Sequence, residues 1–239
     1  MRLDKLLSNM GFGSRKEVHQ LQKKGAVRVN GETVKKPAVN IDTENDVVTV
    51  LGEPVVYRKY IYIMMNKPQD VLSATEDRHD RTVVDLLDAE FRHFKPFPVG
   101  RLDKDTEGFL LLSNDGKLSH NLLSPKKGIP KTYFAKVSGV VTEADIESFA
   151  AGVTLDDGYE TKPGLLKIIS SDETSEIELT ITEGKFHQVK RMFEAVGKKV
   201  VYLKRLSIGP LQLDESLQLG AYRELTDEEV ELLYSTTGA

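Results

Sequence analysis

The chain has no cysteine and no tryptophan among its 239 residues. The first absence excludes disulfides, thiolate metal sites and a cysteine nucleophile, and it fits a cytoplasmic protein. The second removes the indole that sugar-cleaving sites often stack against their substrate. No apolar run approaches the roughly 18 residues of a transmembrane helix, so no membrane partner is expected. The start, Met1-Arg2-Leu3-Asp4-Lys5-Leu6-Leu7, lacks the apolar stretch of a signal peptide. The five histidines are scattered without ligand spacing, so neither a metal nor a cofactor is expected. There is no Gly-rich phosphate cradle, internal repeat or low-complexity segment.

What is present is unevenly spread. The formal charge is −4, yet residues 1–36 hold nine basic residues against Asp4, Glu17 and Glu32, making that segment +6 and the remainder −10. A basic head on an acidic body makes local charge matter more than the total. Leu3, Leu6 and Leu7 share one face of a short helix that Gly11 and Gly13 end. Ser14 and Glu17 have capping-box spacing. The helix they start turns Val18 and Leu21 inward and Arg15, Lys16, Lys23 and Lys24 outward. Residues 27–34 read as a hairpin turning at Asn30-Gly31, and residues 47–50 as a further strand. Arg58-Lys59 is the expected linker, which divides the chain into 1–58 and 59–239.

Residues 60–65 are apolar throughout and predict a buried strand. Thr82 caps a predicted short helix carrying Val83, Val84, Leu86 and Leu87. Helices are expected over residues 117–123 and 142–151, and strands over 134–137, 176–182 and 200–210. After Gly184 a helix carries Val189, Met192, Phe193 and Val196 on its apolar stripe, with His187, Lys190 and Arg191 on the polar side. Thr226 and Glu229 cap a terminal helix. His79 reads as a surface histidine.

The most concentrated chemistry lies at residues 100–116, Gly-Arg-Leu-Asp-Lys-Asp-Thr-Glu-Gly-Phe-Leu-Leu-Leu-Ser-Asn-Asp-Gly. Arg101, Asp103, Lys104, Asp105 and Glu107 crowd ahead of an apolar run that reads as a buried strand. A loop held by such a strand can carry chemistry, although a solvated loop fits the same pattern. The segment resembles the signature of the pseudouridine synthases, and more narrowly that of the small-subunit ribosomal RNA pseudouridine synthase (RsuA) family. In that family the aspartate is catalytic, and here it is Asp103. Lys131-Thr132-Tyr133 resembles the Lys-x-Tyr segment whose tyrosine lies against the target base. Residues 183–192 resemble the third motif, with Lys190 where related synthases often carry arginine. The resemblance implies catalytic roles for Asp103, Tyr133 and Lys190, with Lys190 pairing with Asp103 and Arg191 the second choice. It also implies substrate binding by Arg101, Lys131, His187, Gln188 and Arg191. After Lys67-Pro68 the family has one residue and then glycine; this chain has Asp70.

Residues 1–45 resemble the small RNA-binding module shared by a ribosomal small-subunit protein, tyrosyl-tRNA synthetases and many pseudouridine synthases. The match is carried by Arg2-Leu3-Asp4-Lys5, Ser14-Arg15 and Gly25 through Gly31. It implies that Arg2, Lys5, Arg15, Lys16, Lys23, Lys24 and Arg28 contact RNA phosphates, which position a protein without reading sequence. The implied fold is α+β: a small N-terminal α/β RNA-binding module, then a catalytic domain on a mixed, mainly antiparallel sheet with flanking helices. The implied partner is ribosomal RNA in a partly assembled small subunit, bound by a monomer. Lys126, Lys127, Lys131, Lys204 and Arg205 are expected to line the path to Asp103. Large-subunit ribosomal RNA is the alternative target. Two other classes remain: a glycoside hydrolase pairing Asp103 with Asp105 or Glu107, and a non-catalytic RNA-binding assembly factor.

Overall fold

The computed structural model describes residues 1–238. The chain forms two compact units: Met1–Ile61 with Asp88–Pro96, and Tyr62–Leu87 with residues 97 onward.

In the first unit, helices α1 (Leu3–Asn9) and α2 (Arg15–Lys23) precede strands β1 (Val27–Val29), β2 (Glu32–Thr33), β3 (Val48–Val50) and β4 (Glu53–Pro54). The strands form an antiparallel sheet in the order β2-β1-β3-β4. Ser14 Oγ accepts from the Glu17 amide while Glu17 accepts from the Ser14 amide, so α2 starts where two orphan donors are satisfied at once. Asn30 and Gly31 both take positive φ, 51° and 83°, which the tight β1–β2 turn requires. Leu3, Leu6, Leu7, Val18, Val27, Ile41, Val48 and Val50 form the core. The short helix α3 (Ala89–Arg92) also belongs to this unit. Its segment leaves and re-enters the second unit's sequence, and no composition shift marks that excursion.

The second unit contains β5 (Tyr62–Lys67), β6 (Phe97–Val99), β7 (Glu107–Ser113), α4 (Gly116–Leu123), β8 (Lys131–Ser138), α5 (Glu143–Ala151), β9 (Leu165–Ser170), β10 (Thr174–Ile181), α6 (Gln188–Ala195), β11 (Lys199–Ile208), β12 (Leu211–Gln212), β13 (Tyr222–Glu224) and α7 (Asp227–Thr237). Its sheet runs β13-β5-β7-β11-β8-β10-β9, with β6 beside β7 and β12 beside β11. Only the β7–β11 pairing is parallel among those described. The sheet is therefore mixed and mainly antiparallel. Phe109, Leu110, Leu111 and Leu112 of β7 are buried on both faces. Each such side chain contributes about 1.5–3 kcal/mol, which makes β7 the rigid spine behind the charged loop.

Residues 82–87 differ from the expected helix. They make one 3₁₀ turn, Val84–Leu86. Asp85 accepts from both the amide and the hydroxyl of Thr82, and Val83 is drawn into the core. No helix among the described residues is long and apolar enough to cross a membrane.

Candidate active site

Loop 100–106, between β6 and β7, is held from beneath by β5. The last residue of that strand, Lys67, has a fully buried side chain. Its ammonium donates to the carbonyl oxygens of Pro68 (2.9 Å), Asp103 (3.1 Å), Lys104 (3.3 Å) and Thr106 (3.0 Å). The Thr106 amide bonds the same Asp103 oxygen, and the Asp70 amide bonds Lys104 O. Ser73 Oγ accepts from the Leu102 amide and donates to the Leu102 oxygen. The oxygens of Leu102, Asp103, Lys104 and Thr106 and the amides of Leu102 and Thr106 are thus all paired, which fixes the course of the loop. Sequence reading passed over Lys67 and Ser73. The available signal was a lysine continuing an otherwise apolar strand, which must be either solvated or caged.

Gly108, in the Thr-Glu-Gly triplet, sits at φ 100°, and a β-carbon there would lie 2.3 Å from the Arg205 oxygen on β11. Only glycine allows β7 and β11 to meet in parallel at this point. The contact brings β11 under the loop.

From this base the Asp103 carboxylate reaches two groups on and before α6. Lys190 Nζ lies 3.1 Å from Asp103 Oδ2 and 2.7 Å from Asp105 Oδ1. His187 Nε2 lies 3.5 Å from Asp103 Oδ1. Burial pulls the Lys190 pKa down, but the hydrogen bonds it donates to Asp105 and Asp103 outweigh it, and the net shift is upward. Lys190 therefore stays charged at neutral pH. The same bond from Lys190 holds Asp105 below the usual carboxylate range.

Asp103 opens onto a cavity of about 990 Å³. Tyr133 and Lys131 of β8, Leu203 and Arg205 of β11, and Arg101 line it. Arg205 is buried. It donates from Nε to Phe109 O at 2.8 Å, and its Nη2 has no partner among the described residues. Lys131 is buried beside it, donating to Ile129 O. Burial, with Arg205 adding like-charge repulsion, pushes the Lys131 pKa down to about 8.

Segment 183–188 closes one side of the cavity. Glu183, buried, accepts from Tyr159 Oη (2.8 Å), the Lys162 amide (3.0 Å) and Gln188 Nε2 (2.6 Å). Gln188 Oε1 accepts from the Lys185 amide. His187 takes a left-handed φ of 50° just before α6.

Several expected site residues are placed differently. Arg191 bonds Asp156 and Asp157, not Asp103, because it leaves α6 one position round the helix from Lys190. The Gln188 amide is engaged within its own loop. Lys131 and Arg205 line the cavity as buried groups, whereas Lys126, Lys127 and Lys204 are not among its lining residues. Of the carboxylates considered for a hydrolase pair, Glu107 accepts from Tyr202 Oη at 2.6 Å and Asp105 is bonded to Lys190.

In the first unit Lys5, Arg15, Lys16, Lys23, Lys24 and Arg28 are exposed. Arg2 differs. It is tied to the buried Asp4 through Nε (3.0 Å) and Nη2 (2.7 Å), and His19 reaches the same carboxylate at 3.1 Å.

Comparison with known proteins agrees with this architecture. Residues 61–195 match the RNA pseudouridylate synthase family and residues 1–48 match the S4 domain. An uncharacterised RNA pseudouridine synthase of Bacillus subtilis (strain 168), YtzG, is 57% identical, covering 98% of each chain. The ribosomal small subunit pseudouridine synthase A of Vibrio vulnificus is 42% identical over 98% of this chain and all of its own length. The ribosomal large subunit pseudouridine synthase B of Bacillus subtilis is 40% identical over 97% of this chain and 95% of its own. A crystal structure of a pseudouridylate synthase superposes with a TM-score of 0.69 at 38% identity, covering 98% of this chain and 99% of that one. The chain belongs to the RNA pseudouridylate synthase family, with an S4 domain at its N-terminal end. It is an isomerase by family.

Proposed function

We propose that the protein converts a uridine of ribosomal RNA to pseudouridine, with Asp103 as the catalytic carboxylate. The observation that carries this reading is the Asp103 side chain itself. It is pinned by its backbone, paired with Lys190, and shares with Tyr133 the lining of a cavity large enough for a nucleotide. The reaction breaks the bond between ribose C1′ and uracil N1, turns the ring and joins C1′ to C5. The C5 proton is lost and N1 gains one, so the formula is unchanged and no redox partner takes part. The Asp103 carboxylate can attack the nucleotide or stabilise a cationic sugar, and Lys190, 3.1 Å away, orients it. Tyr133 stacks on the uracil, and a positioned proton acceptor adds about a hundredfold or more in rate. Arg101 is exposed at the mouth and fills the space left when the base leaves its stack.

The S4 domain supports an RNA substrate, held through phosphates by its exposed cations. Within ribosomal RNA we assign the small subunit, in a partly assembled particle. The 42% identity to a small-subunit synthase favours it. The near-equal similarity to a large-subunit synthase makes the large subunit the competing reading. Mapping pseudouridines in both ribosomal RNAs from cells lacking the protein tests all of this. Loss of one site in small-subunit RNA is expected. Loss confined to large-subunit RNA would move the assignment, and loss from neither would remove it.

A further inference from the structure

Phe186 is 74% exposed on the rim of the cavity. Among the described residues it is the one phenylalanine or tyrosine left exposed. A single exposed apolar side chain needs no explanation by itself; this ring is set apart by its place on the cavity rim. This ring is also not loose. It stacks on the His187 imidazole, with centroids 3.7 Å apart and planes 19° from parallel. Arg191 Nη1 donates to the Phe186 oxygen at 3.4 Å. On the other side, Lys185 N is held by Gln188 and Gln188 by the buried Glu183. The loop is therefore anchored on both sides of an aromatic face that points away from its own fold.

We infer that Phe186, backed by His187, is a stacking platform for the unpaired base next to the target uridine. This rests on the reading of the cavity as the uridine site. Turning a nucleotide into the cavity strips its neighbour of a stacking partner and leaves that neighbour at the rim. A flat, immobilised ring there replaces the lost stack, and a ring already ordered costs little to use. Its backing His187 lies 3.5 Å from the Asp103 carboxylate, so the platform is tied to the reacting centre and not to a remote surface. Aromatic stacking accepts any base. The platform therefore recognises the flipped-out geometry and not the identity of the flanking nucleotide.

The test uses the full chain and a folded ribosomal RNA fragment containing the modified uridine, with and without an abasic residue at each neighbouring position. Phe186→Ala is expected to lower kcat/KM about tenfold, within the range that base–aromatic stacking supplies, and Phe186→Tyr to restore it. The abasic substitution on one side should cost the wild-type protein about the same factor, yet cost the Phe186→Ala variant nothing further, because the two changes remove one contact. Full multiplication of the two losses, or a Phe186→Ala variant within twofold of wild type, would overturn the inference. So would a deficit seen only when ribosomal proteins are present, which would make the ring a protein contact. Wild-type protein forming no pseudouridine on any fragment would overturn the uridine site and this platform together, a distinct result.

Discussion

The buried ammonium of Lys67 donates to the main-chain oxygen of Asp103 at 3.1 Å, across 36 positions of sequence. Because the bond goes to the backbone, it fixes the place of the carboxylate without competing for its charge. Burial pulls the Lys67 pKa down to about 8, opposed by Asp105, Asp103, Glu107 and Asp70. The group thus remains mainly an ammonium at neutral pH. Lys67→Met keeps the length and removes every donor; the Asp103 and Lys104 oxygens keep the Thr106 and Asp70 amides, but the Pro68 and Thr106 oxygens lose this ammonium. Each buried unsatisfied group costs about 1–3 kcal/mol, and water recovers part of that. A net loss of about 3 kcal/mol in urea unfolding is expected, with at least a tenfold fall in single-turnover rate from a displaced Asp103. Unchanged stability and rate would show that Lys67 does not support the loop.

Asp103→Asn keeps the shape and removes the charge that Lys190 balances. It should abolish isomerisation while circular dichroism and RNA binding stay near wild type. Activity within tenfold of wild type would take Asp103 out of the chemistry.

Asp70 occupies a left-handed φ of 61°, the conformation glycine adopts freely. A non-glycine residue there costs about 1 kcal/mol, but glycine returns about 0.5–1 kcal/mol through the entropy of the unfolded chain. Asp70→Gly is therefore expected to lie within about 0.5 kcal/mol of wild type. Asp70→Val, β-branched and unsuited to positive φ, should lose more than 1 kcal/mol. Urea midpoints decide between them, and equal midpoints would show that the loop relaxes to accept any residue.

Much of the fold was legible because its signals are local. The Ser14–Glu17 box, the Asn30-Gly31 turn and the apolar run of β7 each state their structure within a few residues. Asp103, Tyr133 and Lys190 were singled out by resemblance, not by any pattern of their own. The remainder depends on contacts distant in sequence. Lys67 looks like an ordinary strand end until four carbonyls converge on it. Gln188, a substrate-binding candidate by resemblance, is engaged instead by Glu183 and the Lys185 amide. The edge strand β9, Leu165–Ser170, exposes Leu165 and Ile169 and buries Leu166, too weak an alternation to identify. The segment 88–96 joins the first unit through packing that no local propensity encodes.

Acid should open the first unit through Asp4. The hydrogen bond from Arg2 is the largest influence on its carboxylate and holds its pKa at about 2 against the opposing effect of burial, with His19 assisting. The folded value lies below the unfolded one of 3.8, so the folded state prefers the ionised form. That stabilisation is fully present above about pH 4 and is lost as pH falls toward 2. Hydrogen exchange at Leu3, Leu6 and Leu7 in the full chain should accelerate across this window. Asp4→Asn should raise exchange at neutral pH and flatten the acid response. An identical acid response in the variant would place the sensitive group elsewhere.

The same ion pair separates Arg2 from the other cations of the head. Lys5, Arg15, Lys16, Lys23, Lys24 and Arg28 are exposed, and each phosphate they neutralise on duplex RNA releases counterions. Each should add roughly 0.9 to the magnitude of the slope of log K against log salt, by analogy with duplex DNA. Replacing any one by alanine should weaken binding to folded ribosomal RNA and reduce that slope by about one, without moving the unfolding midpoint. Arg2→Ala should do the reverse. It strands a buried carboxylate, so stability should fall first, and the salt slope measured on the remaining folded protein should change less. Filter binding across a potassium chloride series, run beside thermal unfolding, distinguishes the two behaviours. If Lys16→Ala and Lys23→Ala both left the slope at its wild-type value, the exposed face of α2 would not be the RNA grip. If Arg2→Ala lowered the slope by a full unit at unchanged stability, the Asp4 pair would be a dispensable surface contact and Arg2 a phosphate ligand like the rest.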